Sequence, residues 1–244
     1  MKTVAIIQAR MGSSRFPGKM MQLINNKPII WYVIDSVKQV KLIDKIVLAS
    51  TKNKEDQILL EKAKEYGIGG FAGNENDVLD RYYQCAKKFR ADIILRVTGD
   101  CPLVDPEVIE KVIKMFQDNE CDYCSNTLPP TYPDGLDVEV FSFKTLETAW
   151  KESKTQKDRE HVTSYIRVGE NEKKFKKLNL ENGEDLSHIR LTLDQKEDFI
   201  LIKKIFERIN KNPIYLKDII DLIKKDPELL QINNQFERNN GEIR

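Results

Sequence analysis

Residues 3–19, TVAIIQARMGSSRFPGK, decide the fold, because a continuous apolar run ends at a loop that carries three basic side chains. Residues 4–7 are apolar without alternation, which is typical of a parallel strand buried on both faces. The loop starts where that strand would end, and ligands of open α/β sheets bind at this edge. Arg10, Arg15 and Lys19 offer positive charge to a polyanion, so the segment predicts a binding loop for a triphosphate.

The spacing of the loop excludes two common phosphate motifs. A Walker loop has four residues between its glycines and a Ser or Thr after its lysine, whereas here residues 13–17 separate Gly12 from Gly18 and Met20 follows Lys19. A dinucleotide fingerprint needs three glycines in G-x-G-x-x-G order, which the loop lacks. A solvated basic loop without a ligand is the remaining alternative.

The rest of the chain alternates between strand and helix patterns. Apolar strands are expected at 45–50, 92–98, 122–126 and 189–193, a short glycine-rich strand at 68–73, and an edge strand at 175–180. Helices are expected after Pro28, from Lys54 to Gly67, after a cap at Asn76, after the Asp105-Pro106 cap, at 143–153, from Lys157, at 200–208 and from Pro213 to Lys225. This rhythm predicts an α/β fold, with a mostly parallel sheet sandwiched by helices, in a single domain over 1–225.

Composition limits the possible partners. The 244 residues include 40 basic and 39 acidic side chains, and the net charge of +1 argues against a nucleic-acid or membrane surface. No apolar run approaches the ~18 residues of a membrane span, and Arg10 interrupts any signal-peptide core, so we expect a cytoplasmic protein. Cys121 and Cys124 form a single C-x-x-C, for which we expect free thiols rather than redox or metal chemistry. Residues 226–244 are polar and predict a frayed tail or the start of a linker.

A carboxylate follows the strand at 92–98, in the segment Gly99-Asp100-Cys101-Pro102-Leu103. Asp100 would lie at the carboxyl end of a central strand and would therefore face the same crevice as the basic loop. Its alternative role is that of a turn residue or a helix cap before Pro102. For Asp105, capping of the next helix is the preferred interpretation.

The segment IIQARMGSSRFPGK resembles the opening of the CMP-sugar-acid synthetases, cytidylyltransferases that include the 3-deoxy-manno-octulosonate and acylneuraminate enzymes. The spore-coat-polysaccharide type is the most similar branch, and the family also carries G-D-x-P-L at the position of residues 99–103. The resemblance covers nearly the whole chain and implies the nucleotide-diphospho-sugar transferase fold. It implies magnesium binding by Asp100. It also implies phosphate contacts for Arg10, Ser13, Ser14, Arg15 and Lys19.

The family's late D-x-x-E-D segment matches residues 194–198, and the resemblance makes Asp194 a second magnesium ligand. Parallel strands bring their carboxyl ends to one side of a sheet, so Asp100 and Asp194 are predicted to meet across one crevice. The alternative role of Asp194 is an N-cap for the helix from Gln195, with Glu197 at the third helical position.

The regular alternation lapses after residue 126 in the segment TLPPTYPDGLDVEVFS, and we expect a small acceptor-side and dimerisation lobe over about 126–170. Its polar residues lie where a sugar would need hydrogen-bond partners, although a turn and a strand with one solvated face explain them equally well. These residues are Tyr132, Asp134, Asp137 and Glu139. An R-E-H-V-T segment recurs in the similar branch, which adds Arg159 and His161 as acceptor-binding candidates beside a structural or surface role.

The resemblance predicts an enzyme that uses CTP and a sugar acid, with a 2-keto-3-deoxy acid as the expected acceptor, to form a CMP-sugar and pyrophosphate for surface polysaccharide biosynthesis. Catalysis would depend on Arg10, Lys19, Asp100 and Mg²⁺, in a homodimer. The predicted nucleotide-binding residues are Ala9, Arg10, Gly12, Ser13, Ser14, Arg15, Lys19, Arg81 and Thr98. The better-known synthetases carry glutamine at the position of Thr98, and this departure bears on the acceptor and on the base preference.

Two other classes of function are compatible with such a fold. A glycosyltransferase would consume a nucleotide sugar instead of making one, but such enzymes usually carry a D-x-D motif after a strand, and residues 99–102 do not contain it. A nucleotide-sensing module without catalysis would keep the basic loop and lose the metal carboxylates, whereas both aspartates are present here.

Overall fold

The computed structural model describes residues 1–238, so the end of the predicted tail, 239–244, lies outside the described residues. The strands are β1 (Thr3–Gln8), β2 (Leu23–Ile24), β3 (Lys27–Pro28), β4 (Lys45–Thr51), β5 (Gly69–Gly73), β6 (Ile93–Thr98), β7 (Tyr123–Ser125), β8 (Glu139–Ser142) and β9 (Lys177–Asn179). The α-helices are α1 (Ile29–Lys38), α2 (Gln57–Glu65), α3 (Val78–Phe89), α4 (Pro106–Asp118), α5 (Phe143–Glu152), α6 (Gln156–His161), α7 (Ser164–Arg167), α8 (Lys196–Ile209) and α9 (Leu216–Lys225). Short 3₁₀ helices cover Lys19–Met21, Lys54–Asp56, Glu170–Lys174 and Pro227–Ile232.

Seven of these strands form one sheet in the order β5-β4-β1-β6-β8-β7-β9. β8 pairs antiparallel with both β6 and β7, whereas the other pairings of the sheet are parallel. β1 therefore lies in the interior of the sheet, between β4 and β6, and its continuous apolar run is explained by this position. The predicted mostly parallel sheet is confirmed, and β2 and β3 form a separate small hairpin.

Helices cover both faces of the sheet. Ala5 and Ile7 of β1 pack in the core beneath α1, α2, α4, α8 and α9, whereas Val4 and Ile6 pack in a second core beneath α3, α5 and α7. Both faces are apolar because successive side chains of a strand point to opposite faces and each face is buried. Within residues 1–238, no helix is long and apolar enough to cross a membrane.

The predicted strand at 189–193 is wrong. Only Arg190 forms an isolated bridge, with Asp134, and the segment is otherwise irregular. Its backbone bonds go to loops rather than to a neighbouring strand, since Leu191 N donates to Asp134 O at 2.7 Å and Leu193 N donates to Asp100 O at 2.8 Å. Leu191 and Leu193 are nevertheless buried, which explains the strand-like apolar pattern.

The expected cap of α3 needs correction. Asp77 rather than Asn76 caps α3, because its carboxylate accepts a hydrogen bond from Asp80 N at 2.8 Å. Within the interval 126–170, in which we expected a small lobe, β8 belongs to the main sheet and α5 packs on α3. The irregular part of this interval is the loop 126–138, which contacts the segment 189–193.

We predict that Gly135→Ala disrupts this contact. Gly135 has a φ of 102°, and an added Cβ would lie 2.5 Å from Leu191 C and from Thr192 N, both of them backbone atoms. Strain at a positive φ together with overpacking should lower the free energy of unfolding by about 2–4 kcal/mol. Gly183→Ala is the matched control, because an added Cβ there meets nothing within 4 Å. Equal melting temperatures for the two variants would contradict the close approach.

Candidate active site

A crevice of about 220 Å³ opens at the carboxyl ends of β1 and β6. Its lining contains the predicted nucleotide-binding residues except Arg81, together with both predicted metal ligands: Gln8, Ala9, Arg10, Gly12, Ser13, Ser14, Arg15, Lys19, Met20, Thr98, Asp100 and Asp194. Arg10 and Arg15 expose about half of their side chains, so they are available to a ligand. Arg81 is instead buried behind β5, where its guanidinium donates to Asn74 O at 3.1 Å.

Backbone and side-chain hydrogen bonds fix the loop that follows β1. Gly18 adopts a φ of 71°, and its N–H donates to Met11 O at 3.2 Å, which closes the loop on itself. Met11 N donates to Asp56 Oδ1 at 2.6 Å, and the Thr51 hydroxyl donates to the same buried carboxylate. Asp56 therefore holds the loop from the next βα connection. Sequence reasoning missed it, because the pattern assigned it only to the start of a helix.

Lys19 joins the two aspartates that were predicted to bind metal. Its ammonium lies 2.9 Å from Asp100 Oδ2, 2.7 Å from Asp194 Oδ1 and 2.7 Å from Leu193 O. Although burial opposes the charged form, the carboxylates of Asp100 and Asp194 raise the pKa of Lys19. Burial would also raise the pKa of Asp100, but the ammonium of Lys19 lowers it. The structure thus brings Asp100 and Asp194 together, as predicted, and shows Lys19 bound to carboxylates.

Asp194 does not cap α8. The N-cap is Gln195, and Asp198 makes the backbone contacts at this helix start, because its Oδ2 accepts from Asp194 N at 2.9 Å and from Gln195 N at 2.8 Å. The carboxylate of Asp194 points instead to cations, with Arg15 at 3.2 Å in addition to Lys19. The alternative of a capping role for Asp194 is therefore wrong.

Asp198 is itself fully buried and holds Arg190. The Arg190 guanidinium donates to both oxygens of Asp198 at 3.0 Å and to Asp134 Oδ2 at 3.1 Å. Asn233 donates to Asp198 Oδ1 at 2.8 Å. Neither Arg190 nor Asp198 was singled out from the sequence. A charged residue inside the apolar run 189–193 was the available signal that Arg190 is buried.

A second pocket, of about 190 Å³, adjoins the crevice and shares Thr98 and Asp194 with it. Its lining is Arg96, Thr98, Cys101, Asp134, Asp137, Arg190, Thr192 and Asp194. Asp134 and Asp137 of the predicted acceptor set are therefore present. Asp134 is ion-paired with Arg190, yet burial and the nearby Asp137 carboxylate outweigh that pair and raise the pKa of Asp134 to about 7.

The other predicted acceptor-binding residues do not line this pocket. Glu139 is 2% exposed and accepts hydrogen bonds from Tyr123 and Thr163, both at 2.6 Å. Burial alone would raise its pKa, but Arg96 and Arg167 lower the pKa of Glu139 to about 2. The carboxylate of Glu139 is therefore part of a buried ion-pair cluster with Arg96 and Arg167.

Three further acceptor candidates lie elsewhere. Arg159 is ion-paired with Asp77 at the start of α3, and His161 lies at the end of α6. The side chain of Tyr132 is buried, and its carbonyl oxygen accepts a hydrogen bond from Arg238 at 3.0 Å.

The segment 226–238 packs against Asp137 and Arg190, which line the second pocket, so the prediction of a frayed tail is wrong for these residues. Arg238 donates to Asp137 Oδ1 at 2.5 Å, and the Phe236 ring lies 6.0 Å from the Arg190 guanidinium. Asn233 is buried and donates to Arg190 O at 3.1 Å. Isolated polar residues that reach back to buried charges leave no periodic signal in the sequence.

The four cysteines are free thiols, and no group of three or more potential metal-ligating side chains occurs within residues 1–238. Asp100 and Asp194 are two hard oxygen ligands on one crevice, and Mg²⁺ is commonly held by one or two carboxylates together with substrate phosphates. The donor set therefore fits magnesium in the presence of a phosphate ligand.

The chain combines a mostly parallel sheet with a cationic loop and paired aspartates at one crevice, and solved nucleotidyltransferases share its fold. The solved structure of a cytidylyltransferase from Leptospira borgpetersenii is 33% identical and superposes with a TM-score of 0.90 over 95% of this chain and 97% of that chain. A CMP:2-keto-3-deoxy-manno-octonic acid synthetase complexed with CTP has a TM-score of 0.63 at 17% identity, over 85% of this chain and 99% of that chain, and shows the shared fold.

The chain belongs to the cytidylyltransferase family, whose sequence profile matches residues 4–236. An uncharacterized protein of Methanocaldococcus jannaschii is 39% identical, covering 96% of this chain and 95% of its own. The spore coat polysaccharide biosynthesis protein SpsF of Bacillus subtilis is 30% identical, covering 91% and 94%. The 3-deoxy-manno-octulosonate cytidylyltransferase of Chloroherpeton thalassium is 32% identical over 136 residues, 55% of this chain and 54% of its own. The predicted family and the predicted enzyme class are confirmed.

We predict that Asp198→Asn destabilises the protein strongly. The amide would place N–H groups against some of the five donors that now face the carboxylate, and it would leave Arg190 buried without its full counter-charge. Breaking a buried ion pair costs about 3–5 kcal/mol, which a denaturant titration will measure. The control is Glu197→Gln, the same exchange at the half-buried neighbour. If both variants unfold like the wild type, Asp198 does not anchor this site.

Proposed function

We propose that this cytidylyltransferase joins the cytidylyl group of CTP to a sugar acid and releases pyrophosphate, forming a CMP-sugar for polysaccharide biosynthesis. The observation that carries the proposal is that two pockets adjoin and share Thr98 and Asp194. The first is lined by the cations of the loop after β1, and the second by both basic and acidic side chains. Two substrates that exchange a group need neighbouring sites with the reacting atoms at their junction. The names of the SpsF and 3-deoxy-manno-octulosonate relatives support this substrate class.

The first crevice suits the triphosphate. Arg10 and Arg15 are exposed cations on a loop whose conformation is fixed by Gly18 and Asp56. Ser13 and Ser14 add small donors beside them. Because the loop is already held in place, binding a phosphate requires little reorganisation, and charge that develops on the leaving pyrophosphate is stabilised.

The second pocket suits an acidic acceptor. Arg96 and Arg190 line it, and a planar guanidinium is well matched to a carboxylate. Arg190 is fully engaged with Asp134 and Asp198, whereas Arg96 has Glu139 as its carboxylate partner on one side. Arg96, which the sequence analysis did not single out, is the better candidate for contact with the acid group.

Asp100 and Asp194 would hold Mg²⁺ together with phosphate oxygens. When bound, the ion would polarise the α-phosphate and neutralise charge on the departing pyrophosphate. The acceptor hydroxyl would attack the α-phosphorus in line, with the loop cations on the leaving-group side and the second pocket orienting the sugar. In this scheme the residues of the chain act mainly by positioning and electrostatics.

Nucleotide choice tests the proposal. Pyrophosphate release should occur with CTP and a panel of sugar acids, and CTP should exceed ATP and GTP by about tenfold or more, since a small crevice rejects purines by size. CTP should exceed UTP by a similar factor, as expected for a member of the cytidylyltransferase family. The measurement is coupled pyrophosphate detection with each nucleotide at limiting concentration. Equal turnover of the four nucleotides, or release of nucleotide diphosphate from a nucleotide sugar instead, would refute the assignment.

Asp100 provides a second prediction. Asp100→Asn should lower turnover by about a hundredfold or more, because a charged group that stabilises the transition state is lost, while CTP binding to the loop persists. Turnover and CTP affinity are measured on the same preparation, together with the melting temperature. Asp118→Asn, at the exposed end of α4, is the control. Full activity of Asp100→Asn would rule out a metal site at this residue.

A further inference from the structure

Lys19 occupies the place between the two aspartates that a divalent cation would take. Its ammonium has three N–H groups, and three oxygen atoms accept them, from Asp100, Asp194 and Leu193, all within 2.9 Å. The side chain is 8% exposed, so the ammonium is enclosed as well as saturated. In this arrangement Lys19 has no N–H left to donate to a phosphate.

A magnesium ion and the ammonium of Lys19 cannot both lie between Asp100 Oδ2 and Asp194 Oδ1. Mg²⁺ needs oxygen ligands at about 2.0–2.1 Å in near-octahedral geometry, and it would sit almost where Nζ lies. The outer oxygen of Asp194 offers no simple alternative, because Arg15 lies 3.2 Å and Arg190 3.7 Å from Oδ2. Two positive centres a few ångströms apart would also repel each other strongly in a partly buried site.

The charges at the site explain when replacement of the Lys19 ammonium by a divalent ion becomes favourable. Lys19 and Arg15 already face the carboxylates of Asp100 and Asp194, and Arg190, which is paired with Asp134 and Asp198, lies 3.7 Å from Asp194 Oδ2. A divalent ion added alone would leave an excess of positive charge in the crevice. A triphosphate changes this balance, because it provides new anionic partners for Lys19 and Arg15 and additional oxygen ligands for the metal.

We propose that the ammonium of Lys19 is a placeholder for a divalent cation between Asp100 and Asp194. The cation takes this place only when a nucleotide draws the ammonium away to its phosphates. This inference rests on the proposed use of CTP and metal. It makes Lys19 a positioning residue with two partners in turn, carboxylates first and phosphate afterwards. Tight metal binding then depends on nucleotide, and the two aspartates never face each other without a cation.

Direct binding of Mn²⁺, followed by electron paramagnetic resonance, tests the exchange without measuring turnover. The wild type should bind Mn²⁺ weakly by itself and at least tenfold more tightly with the non-hydrolysable analogue α,β-methylene-CTP. Lys19→Met keeps an unbranched apolar side chain one atom shorter than lysine and removes the ammonium, so it should gain at least tenfold in Mn²⁺ affinity without nucleotide. The double variant Lys19→Met/Asp194→Asn should lose that gain.

Arg10→Met is the matched control. It removes one positive charge from the same loop, but Arg10 lies near Glu75 and makes no ion pair with Asp100 or Asp194 among the described residues. Its Mn²⁺ affinity without nucleotide should equal that of the wild type. A similar gain in Arg10→Met would mean that the net charge of the crevice, and not occupancy by Lys19, governs the metal, which overturns the proposal.

Two other outcomes also overturn it, and they are distinguishable. If the wild type binds Mn²⁺ equally well with and without the analogue, the placeholder role is wrong while the metal site stands. If Mn²⁺ fails to bind the wild type even with the analogue, the proposed metal site is wrong and the exchange fails with it. Should Lys19→Met melt below the assay temperature, Lys19→Gln, which retains an N–H donor for Leu193 O, serves in the same titration.

Discussion

The buried ion pairs around Lys19 and Arg190 are the interaction on which the rest of the site depends. They tie the loop after β1, the end of β6, the segment 189–198 and the segment 226–238 to one another. A charge removed from water is tolerated only when partners surround it, and leaving one unpaired costs several kcal/mol. The network therefore fixes where Asp194 can lie, although no regular strand carries this residue.

Much of the architecture was accessible to sequence reasoning because it is local. Continuous apolar runs marked β1 and β6 as buried strands, and helical spacing marked the covering helices. The segment 189–193 shows the limit of this reasoning. Leu191 and Leu193 are buried and alternate as they would in a strand, yet their backbone N–H groups donate to the carbonyl oxygens of Asp134 and Asp100. The spacing of apolar residues indicates which side chains are buried, but it does not indicate which backbone groups form hydrogen bonds.

For the site, the sequence indicated the cationic loop and both aspartates, but it did not indicate how they are held. Asp56, Arg190, Asp198 and Arg238 act through contacts with residues far away along the chain, such as the Arg238–Asp137 pair. Conversely, Glu139 and Arg81 have the polarity of functional residues and are buried structural groups. Whether a polar side chain faces a crevice or the interior is decided by tertiary packing, which one sequence does not reveal.

The two proposed substrate sites differ in how much of their lining comes from regular structure. The crevice proposed for the nucleotide lies at the ends of β1 and β6, which lie within the sheet and are constrained by both cores. The proposed acceptor pocket shares Thr98 and Asp194 with this crevice and takes Arg96 from β6, but the rest of its ionic lining lies in irregular segments, at Asp134, Asp137 and Arg190. Irregular segments tolerate substitution better than buried strands do. Under the proposed function, the acceptor side can therefore vary while the cationic loop and Asp100 stay the same.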